Sequence, residues 1–227
     1  MTVAIAHRGE PLGHRENTLP GFLAAQAAGA DMVELDCQLT RDGAVVVLHD
    51  PTLNRVWGLD RRIADLALEE VAGVGGDGGG IPQLSEVLAA LPLPLMVDVA
   101  DPAVMPAAFS AVTAADALDR CLFAGHLAGL RAARQARAEA RLALTWDADV
   151  PPGDDLVEEL RPEFFNPRWD LLTEEEVAYF HRRGMQISVW TVDDETTMGR
   201  LVDLGVDAII TNRISDLVRL LGRTGGH

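Results

Sequence analysis

At 227 residues the chain fits one large domain over residues 1–227 better than two small ones, and 48% hydrophobic with 24% charged residues excludes a disordered chain, a coiled coil or a collagen-like fibre. The 19 basic residues against 35 acidic ones give a formal charge of −16, a field that repels nucleic acid and anionic membrane surfaces. Every basic residue is arginine, so Schiff-base chemistry on a lysine and a P-loop lysine are both excluded.

Short β-type runs alternate with longer stretches of helical period, a pattern that predicts strand-helix units around a parallel sheet. The expected strands are residues 3–6, 32–37, 95–99, 121–124, 142–145, 164–166, 187–191 and 208–211. Helices are expected over 20–28, 85–90, 103–117, 127–138, 173–183, 194–204 and 214–221, with 154–160 the weakest of the set. Eight such units fit an α/β fold of the (β/α)8 TIM-barrel type, whose usual size is ~250 residues. A doubly wound open sheet is the alternative, but the first strand runs into His7-Arg8-Gly9 without the glycine-rich turn which that fold uses.

An extra β-hairpin arm is expected after the second strand, because Asp42-Gly43 lies between two β-rich runs. With a two-residue loop, Arg41 faces Ala44 and His49 comes opposite Asp36, so Glu34, Asp36 and His49 share a face. A three- or five-residue loop reverses that. The glycine-rich run 73–80 reads as a flexible loop, not a phosphate cradle.

Cys37 and Cys121 each lie in an apolar run, so no disulfide framework is expected and a reducing compartment is the simpler reading. The first residues show neither a basic segment nor a long apolar one, so no signal peptide is expected. The apolar stretch 87–97 is short and interrupted by Pro92 and Pro94. Together these predict a cytoplasmic protein without stable membrane association; the oligomeric state is not legible.

Buried strands are ordinarily filled with Val, Ile and Leu, so Glu34 and Asp36 in the second strand need a cause. Two like charges on one face are costly unless a cation holds them, and carboxylates spaced i, i+2 are hard oxygen ligands for Mg²⁺ or Ca²⁺. Asp98, the lone acid of the next parallel strand, is the expected third ligand. His7 ends the first strand and His49 the hairpin arm, which predicts two imidazoles facing each other across the carboxylates as an acid-base pair. Arg8 offers a planar fork suited to phosphate oxygens.

The strings His7-Arg8-Gly9, Glu16-Asn17-Thr18, Glu34-Leu35-Asp36, Thr40-Arg41-Asp42-Gly43, His49-Asp50-Pro51-Thr52-Leu53 and Ile81-Pro82-Gln83-Leu84-Ser85-Glu86 resemble the glycerophosphodiester phosphodiesterase family. Trp190-Thr191-Val192 and Asp207-Ala208-Ile209-Ile210-Thr211-Asn212 extend the likeness over nearly the whole chain, in order. The resemblance implies a metal-binding (β/α)8 barrel that hydrolyses glycerophosphodiesters to glycerol 3-phosphate and an alcohol. It implies His7 and His49 as the acid-base pair, Glu34 and Asp36 as metal ligands, and Arg8 with Glu16 lining the phosphate and metal site. Trp190 would wall a glycerol pocket or pack in the barrel core.

Two departures stand out. Asn212 occupies a position where the family usually has Asp, a change read here as harmless because both are good helix caps. At the third strand the family usually shows Glu-x-Lys, where this chain has Asp98-Val99-Ala100. Ala100 removes an ammonium that would offset phosphate charge, and Arg168, just past the sixth strand, is the expected substitute. The alternatives to a metal-dependent phosphodiesterase are a catalytically weakened, phosphodiester-binding relative on the same barrel and a barrel isomerase or aldolase. The latter usually binds phosphate in glycine nests after the last two strands, which this chain lacks.

Overall fold

The computed structural model describes residues 1–76 and 79–223. Eight parallel strands form a nearly closed barrel: β1 (Val3–His7), β2 (Met32–Leu39), β3 (Leu95–Val99), β4 (Cys121–Gly125), β5 (Ala143–Trp146), β6 (Phe164–Pro167), β7 (Gln186–Val189) and β8 (Ala208–Thr211). They neighbour one another in the order β4-β3-β2-β1-β8-β7-β6-β5. A parallel bridge between Phe123 and Leu142 links the two ends of that order, with Phe123 N donating to Arg141 O at 2.9 Å. Each strand is followed on the outside by a helix: α1 (Leu19–Ala27), α2 (Leu84–Ala90), α3 (Met105–Ala114), α4 (Leu127–Ala136), α5 (Asp154–Leu160), α6 (Glu174–Arg182), α7 (Glu195–Leu204) and α8 (Ile214–Leu220). The expected (β/α)8 barrel with its hairpin arm is present. No helix among the described residues is long and apolar enough to cross a membrane.

Strand residues divide by parity, because successive side chains point to opposite faces. Ile5, Met32, Met96, Leu122, Ala143, Phe164 and Ile210 pack together inside the barrel. Their neighbours Val33, Leu35, Val97, Phe123, Ile187 and Ile209 pack against the helices. Both faces are therefore dry, which is why these strands read as continuous apolar runs rather than alternating ones.

The hairpin arm (Val45–Val47) pairs antiparallel with β2 as Cys37 with Val47, Gln38 with Val46 and Leu39 with Val45. This corrects the expected register by one residue. A two-residue type I′ turn needs positive φ at both Asp42 and Gly43, and only Gly43 has it, at +81°. The loop instead has three residues, closed by Thr40 N to Ala44 O at 3.0 Å and tied by Thr40 Oγ1 donating to Asp42 Oδ1 at 2.6 Å. Leu48, not His49, thus lies opposite Asp36, its N donating to Asp36 O at 3.0 Å. Leu48 joins Val46, Leu53, Ile63, Leu66, Val71 and Ile81 in a separate apolar cluster that anchors the segment between the arm and α2. Within that segment the glycine-rich run is not wholly loop, since Gly75–Gly76 pairs with Gly79–Gly80 in a small ribbon.

Candidate functional site

Strand register brings the acids together. His7 on β1 pairs with Glu34 on β2, and Asp36 pairs with Asp98 on β3, so these residues gather where three strands end. With Arg8, His49, Ala100, Thr145, Asn166 and Trp190 they line one cavity of about 280 Å³, floored by Met96 and Ile210. The C-terminal mouth of a barrel is where such a cavity is expected, because strand side chains there hand over to loops.

The turn after β1 is strained into place. Arg8 has φ +56° and Asn17 φ +56°, and Asn17 N donates to Arg8 O at 2.9 Å. Non-glycine residues hold such angles only when their surroundings over-determine them. Gly9 must be glycine: with φ +91°, an added Cβ would lie 2.8 Å from the Gly21 carbonyl carbon. The result turns the Arg8 side chain back over β2. Its backbone N donates to Glu34 O at 3.0 Å and to Glu34 Oε2 at 3.1 Å. Its guanidinium bonds Glu16 Oε1 at 3.1 Å, while Nε lies 3.1 Å from Asp36 Oδ2 without the alignment to donate to it. Asn17 Nδ2 donates to the same Asp36 oxygen at 2.8 Å.

The electrostatics follow from burial. Glu34, 4% exposed, has its carboxyl raised well above the usual range by desolvation first, then by the charges of Asp36 and Asp98. Desolvation and Asp36 push Asp98 up to about 7. His7 is lowered by burial and by the neighbouring Arg8 charge, which favours a neutral imidazole. Its Nε2 lies 3.9 Å from Glu34 Oε2, and its Nδ1 is 2.8 Å from Asn212 Oδ1. His49 is set differently: it sits on the bend after the hairpin arm, half-exposed, with Nδ1 2.6 Å from Asp50 Oδ1.

Three carboxylates forced together in a dry pocket are the donor chemistry of a hard divalent cation. Among the described residues, however, no three His, Cys, Asp or Glu side chains already stand at metal-ligating positions. Arg8 lies among them and takes the place of a neutralising charge. The donors fit a metal in kind, and side-chain rotation around Arg8 is needed for them to share one.

Two expectations are corrected by side-chain direction. Arg168 is not among the described residues lining the cavity; its guanidinium turns outward and forks onto Asp170, with Nε to Oδ1 at 3.1 Å and Nη2 to Oδ2 at 2.5 Å. The short turn Trp169–Leu171 presents Asp170 two residues away in the chain. Glu16 is likewise not among the described residues lining the cavity. It links Arg8 to Arg55, whose Nη1 and Nη2 bond it at 2.8 and 2.6 Å. Burial would raise its carboxyl, but the Arg55 and Arg8 contacts outweigh that and lower it. Trp190 does wall the cavity, held by its indole N–H donating to Asn166 O at 2.9 Å.

Arg55, Asn166, Thr145 and Asp193 carry no local sequence signal, whereas Asn17 and Asn212 lie in the strings that carry the family resemblance. Arg55 also grips Asp50 through Nε to Oδ2 at 2.6 Å, so it ties the His49 bend to the Arg8 turn. A cation 39 residues from its partner is invisible to periodicity. Two further histidines serve the scaffold: His126 caps α4 by accepting from Ala128 N at 3.1 Å, and His181 pairs with Asp207 at 2.7 Å.

The model of the Glycerophosphoryl diester phosphodiesterase family matches residues 7–108 and 103–216. A glycerophosphodiester phosphodiesterase of Caldanaerobacter subterraneus is 29% identical over 242 residues, covering 99% of this chain and 99% of its own. The crystal structure of a Thermotoga maritima glycerophosphodiester phosphodiesterase is 26% identical with TM-score 0.83, covering 97% of this chain and 99% of its own. An Oleispira antarctica phosphodiesterase solved in complex with the product sn-glycerol-3-phosphate has the same fold at TM-score 0.86 and 22% identity, covering 98% of this chain and 97% of its own.

Proposed function

The chain belongs to the glycerophosphoryl diester phosphodiesterase family, and on that premise we propose that it is a glycerophosphodiester phosphodiesterase whose histidine pair, His7 and His49, carries out metal-assisted hydrolysis to sn-glycerol 3-phosphate and an alcohol. The observation that carries this reading is the convergence of two histidines, Arg8 and three carboxylates, Glu34 buried and Asp36 and Asp98 half-buried, on one small cavity. The product complex of the Oleispira antarctica relative supports a ligand of the same chemistry.

Glu34, Asp36 and Asp98 are the residues that would hold Mg²⁺ or Ca²⁺, and a divalent cation there supplies Lewis-acid polarisation of a phosphoryl oxygen. Arg8, whose guanidinium fork belongs to a residue lining the cavity, would bind a phosphate oxygen and orient the diester. His7, half-buried and favoured neutral, takes the proton from the nucleophile through Nε2. That nucleophile is water or the 2-hydroxyl of the glycerol itself. As its oxygen bonds to phosphorus and the bond to the departing alcohol breaks, His49 gives its proton to the leaving oxygen; where the 2-hydroxyl attacks, the product is a cyclic phosphodiester, which water then opens to glycerol 3-phosphate with the two histidines exchanging roles. Trp190, Met96 and Ile210 form the apolar part of the wall against which a glycerol carbon chain can rest. The buried thiols of Cys37 and Cys121 fit a reducing, cytoplasmic setting.

Ala100 and the outward Arg168 favour a second reading, a weakened relative that binds diesters and turns them over poorly. Glycerophosphocholine incubated with the purified protein, with Mg²⁺ or Ca²⁺ and then with EDTA, separates the two. Release of glycerol 3-phosphate that EDTA abolishes is the expected result; saturable binding without product would sustain the weaker alternative, and turnover insensitive to chelation would overturn the metal assignment.

A further inference from the structure

The loops after β7 and β8 send a hydrogen-bond chain into the mouth that ends on His7. Asp193 Oδ2 accepts from Asn212 Nδ2 at 2.7 Å, and its Oδ1 accepts from Asn212 N at 2.8 Å and from Thr211 Oγ1 at 3.1 Å. Asn212 Oδ1 stands 2.8 Å from His7 Nδ1. Each link dictates the next. An ionised carboxylate has no proton to give, so the NH₂ of Asn212 must face Asp193. The amide oxygen is then the atom turned to the imidazole, and since it can only accept, Nδ1 must carry the hydrogen. The remaining ring nitrogen, Nε2, is left with its lone pair on the side of Glu34, from which it is 3.9 Å.

We infer that Asn212 and Asp193 are positioning residues that lock His7 in the Nδ1–H tautomer, so that Nε2 is presented to the substrate as a proton acceptor. The arrangement also decides where charge resides. A carboxylate placed directly on Nδ1 would add a fourth negative charge to a mouth that already holds Glu34, Asp36 and Asp98. Asp193 is exposed, so its charge stays in water while the neutral Asn212 amide passes on only its orientation. The catalytic consequence rests on the reading of His7 as an acid-base residue; the tautomer itself does not.

The imidazole nitrogens of ¹⁵N-histidine-labelled, metal-free protein report the tautomer directly, and the wild-type His7 ring should show protonated Nδ1 and unprotonated Nε2. Asp193→Asn keeps the side-chain shape but removes the anion that orients Asn212. It should give a mixture of tautomers and lower kcat by about 10- to 100-fold, within the range of acid-base groups, with KM and thermal midpoint little changed. In Asp193→Asn/Asn212→Asp the chain is rebuilt in reverse, the new carboxylate accepting from Nδ1 and the new amide donating to it. That variant should regain the Nδ1–H tautomer and most of the lost kcat. Wild-type His7 protonated on Nε2, or a double variant no better than the single one, would overturn the inference. An Nδ1–H signal in a protein that releases no glycerol 3-phosphate would instead leave the inference standing and overturn the catalytic reading.

Discussion

The two sides of the barrel mouth are built on opposite principles. On the β1 to β3 side, Glu34, Asp36, Asp98 and Arg8 crowd charge into a dry pocket, and burial raises Glu34 and Asp98 against their ionised forms. Across the cavity, on β5 to β7, everything is neutral and mutually satisfied. Asn166 Nδ2 donates to Thr145 Oγ1 at 3.3 Å, Ser188 Oγ donates to Asn166 Oδ1 at 2.7 Å, and Trp190 closes the ladder on Asn166 O. Buried like charges cost stability and are kept for what they bind, whereas a completed neutral network holds geometry. On the proposed function, the charged side is the chemical half of the site and the neutral side its frame.

The largest effects should fall on the histidines that flank the charged side. His7→Ala and His49→Ala should each lower glycerophosphodiester turnover by roughly 10²- to 10⁴-fold while leaving circular dichroism unchanged. An undiminished kcat in either variant would break the pair assignment.

Next in size, the two sides should respond to single substitutions with opposite signs in stability. Asp98→Asn relieves a buried like charge, so the metal-free midpoint should rise while activity falls by about tenfold or more, the scale of one charged contact. Asn166→Ala strands Thr145 and Ser188, and should cost about 1 to 3 kcal/mol in urea unfolding. If both variants destabilise alike, the contrast between the sides is wrong.

A smaller effect is expected where the mouth lacks a cation. Ala100→Lys adds an ammonium on the cavity wall and should lower KM for glycerophosphocholine several-fold, about 1 kcal/mol or somewhat more in binding. Smaller again is the acid sensitivity of the His49 bend. Arg55 hydrogen bonds, outweighing desolvation and aided by His49, hold Asp50 at about 2, below the ~3.9 of an unfolded aspartate. Asp50 thus contributes stability that is present above about pH 4 and lost as pH falls through about 2. Urea midpoints measured across that window should drop more steeply for the wild type than for Asp50→Asn. The smallest change should come from Arg168→Ala, whose guanidinium is already occupied by Asp170 at the surface; kcat and KM should stay within about twofold, as for most exposed ion pairs. A large loss would return Arg168 to the substrate site.

The barrel and the identity of most of its mouth are legible in short stretches of chain. Apolar runs of strand length, helical periods between them and acids at i, i+2 in a buried strand are properties of a few consecutive residues. Glu34, Asp36, Asp98, His7, His49 and Trp190 were legible for that reason, because each breaks or ends a local pattern. Tertiary structure alone decided the pairings. Whether the hairpin loop took two residues or three turned on the φ of Asp42, and Thr40 settled it. Arg168 turned to the nearest carboxylate rather than to the mouth. Arg8 met Asp36 only because β1 and β2 lie side by side, and it reaches Arg55 only through Glu16. The Asp193–Asn212–His7 chain exists only because β8 neighbours both β7 and β1, bringing residues 205 positions apart within hydrogen-bond distance. Periodicity is fixed by neighbours in the chain; hydrogen-bond partners are fixed by which strands the closing barrel sets beside each other.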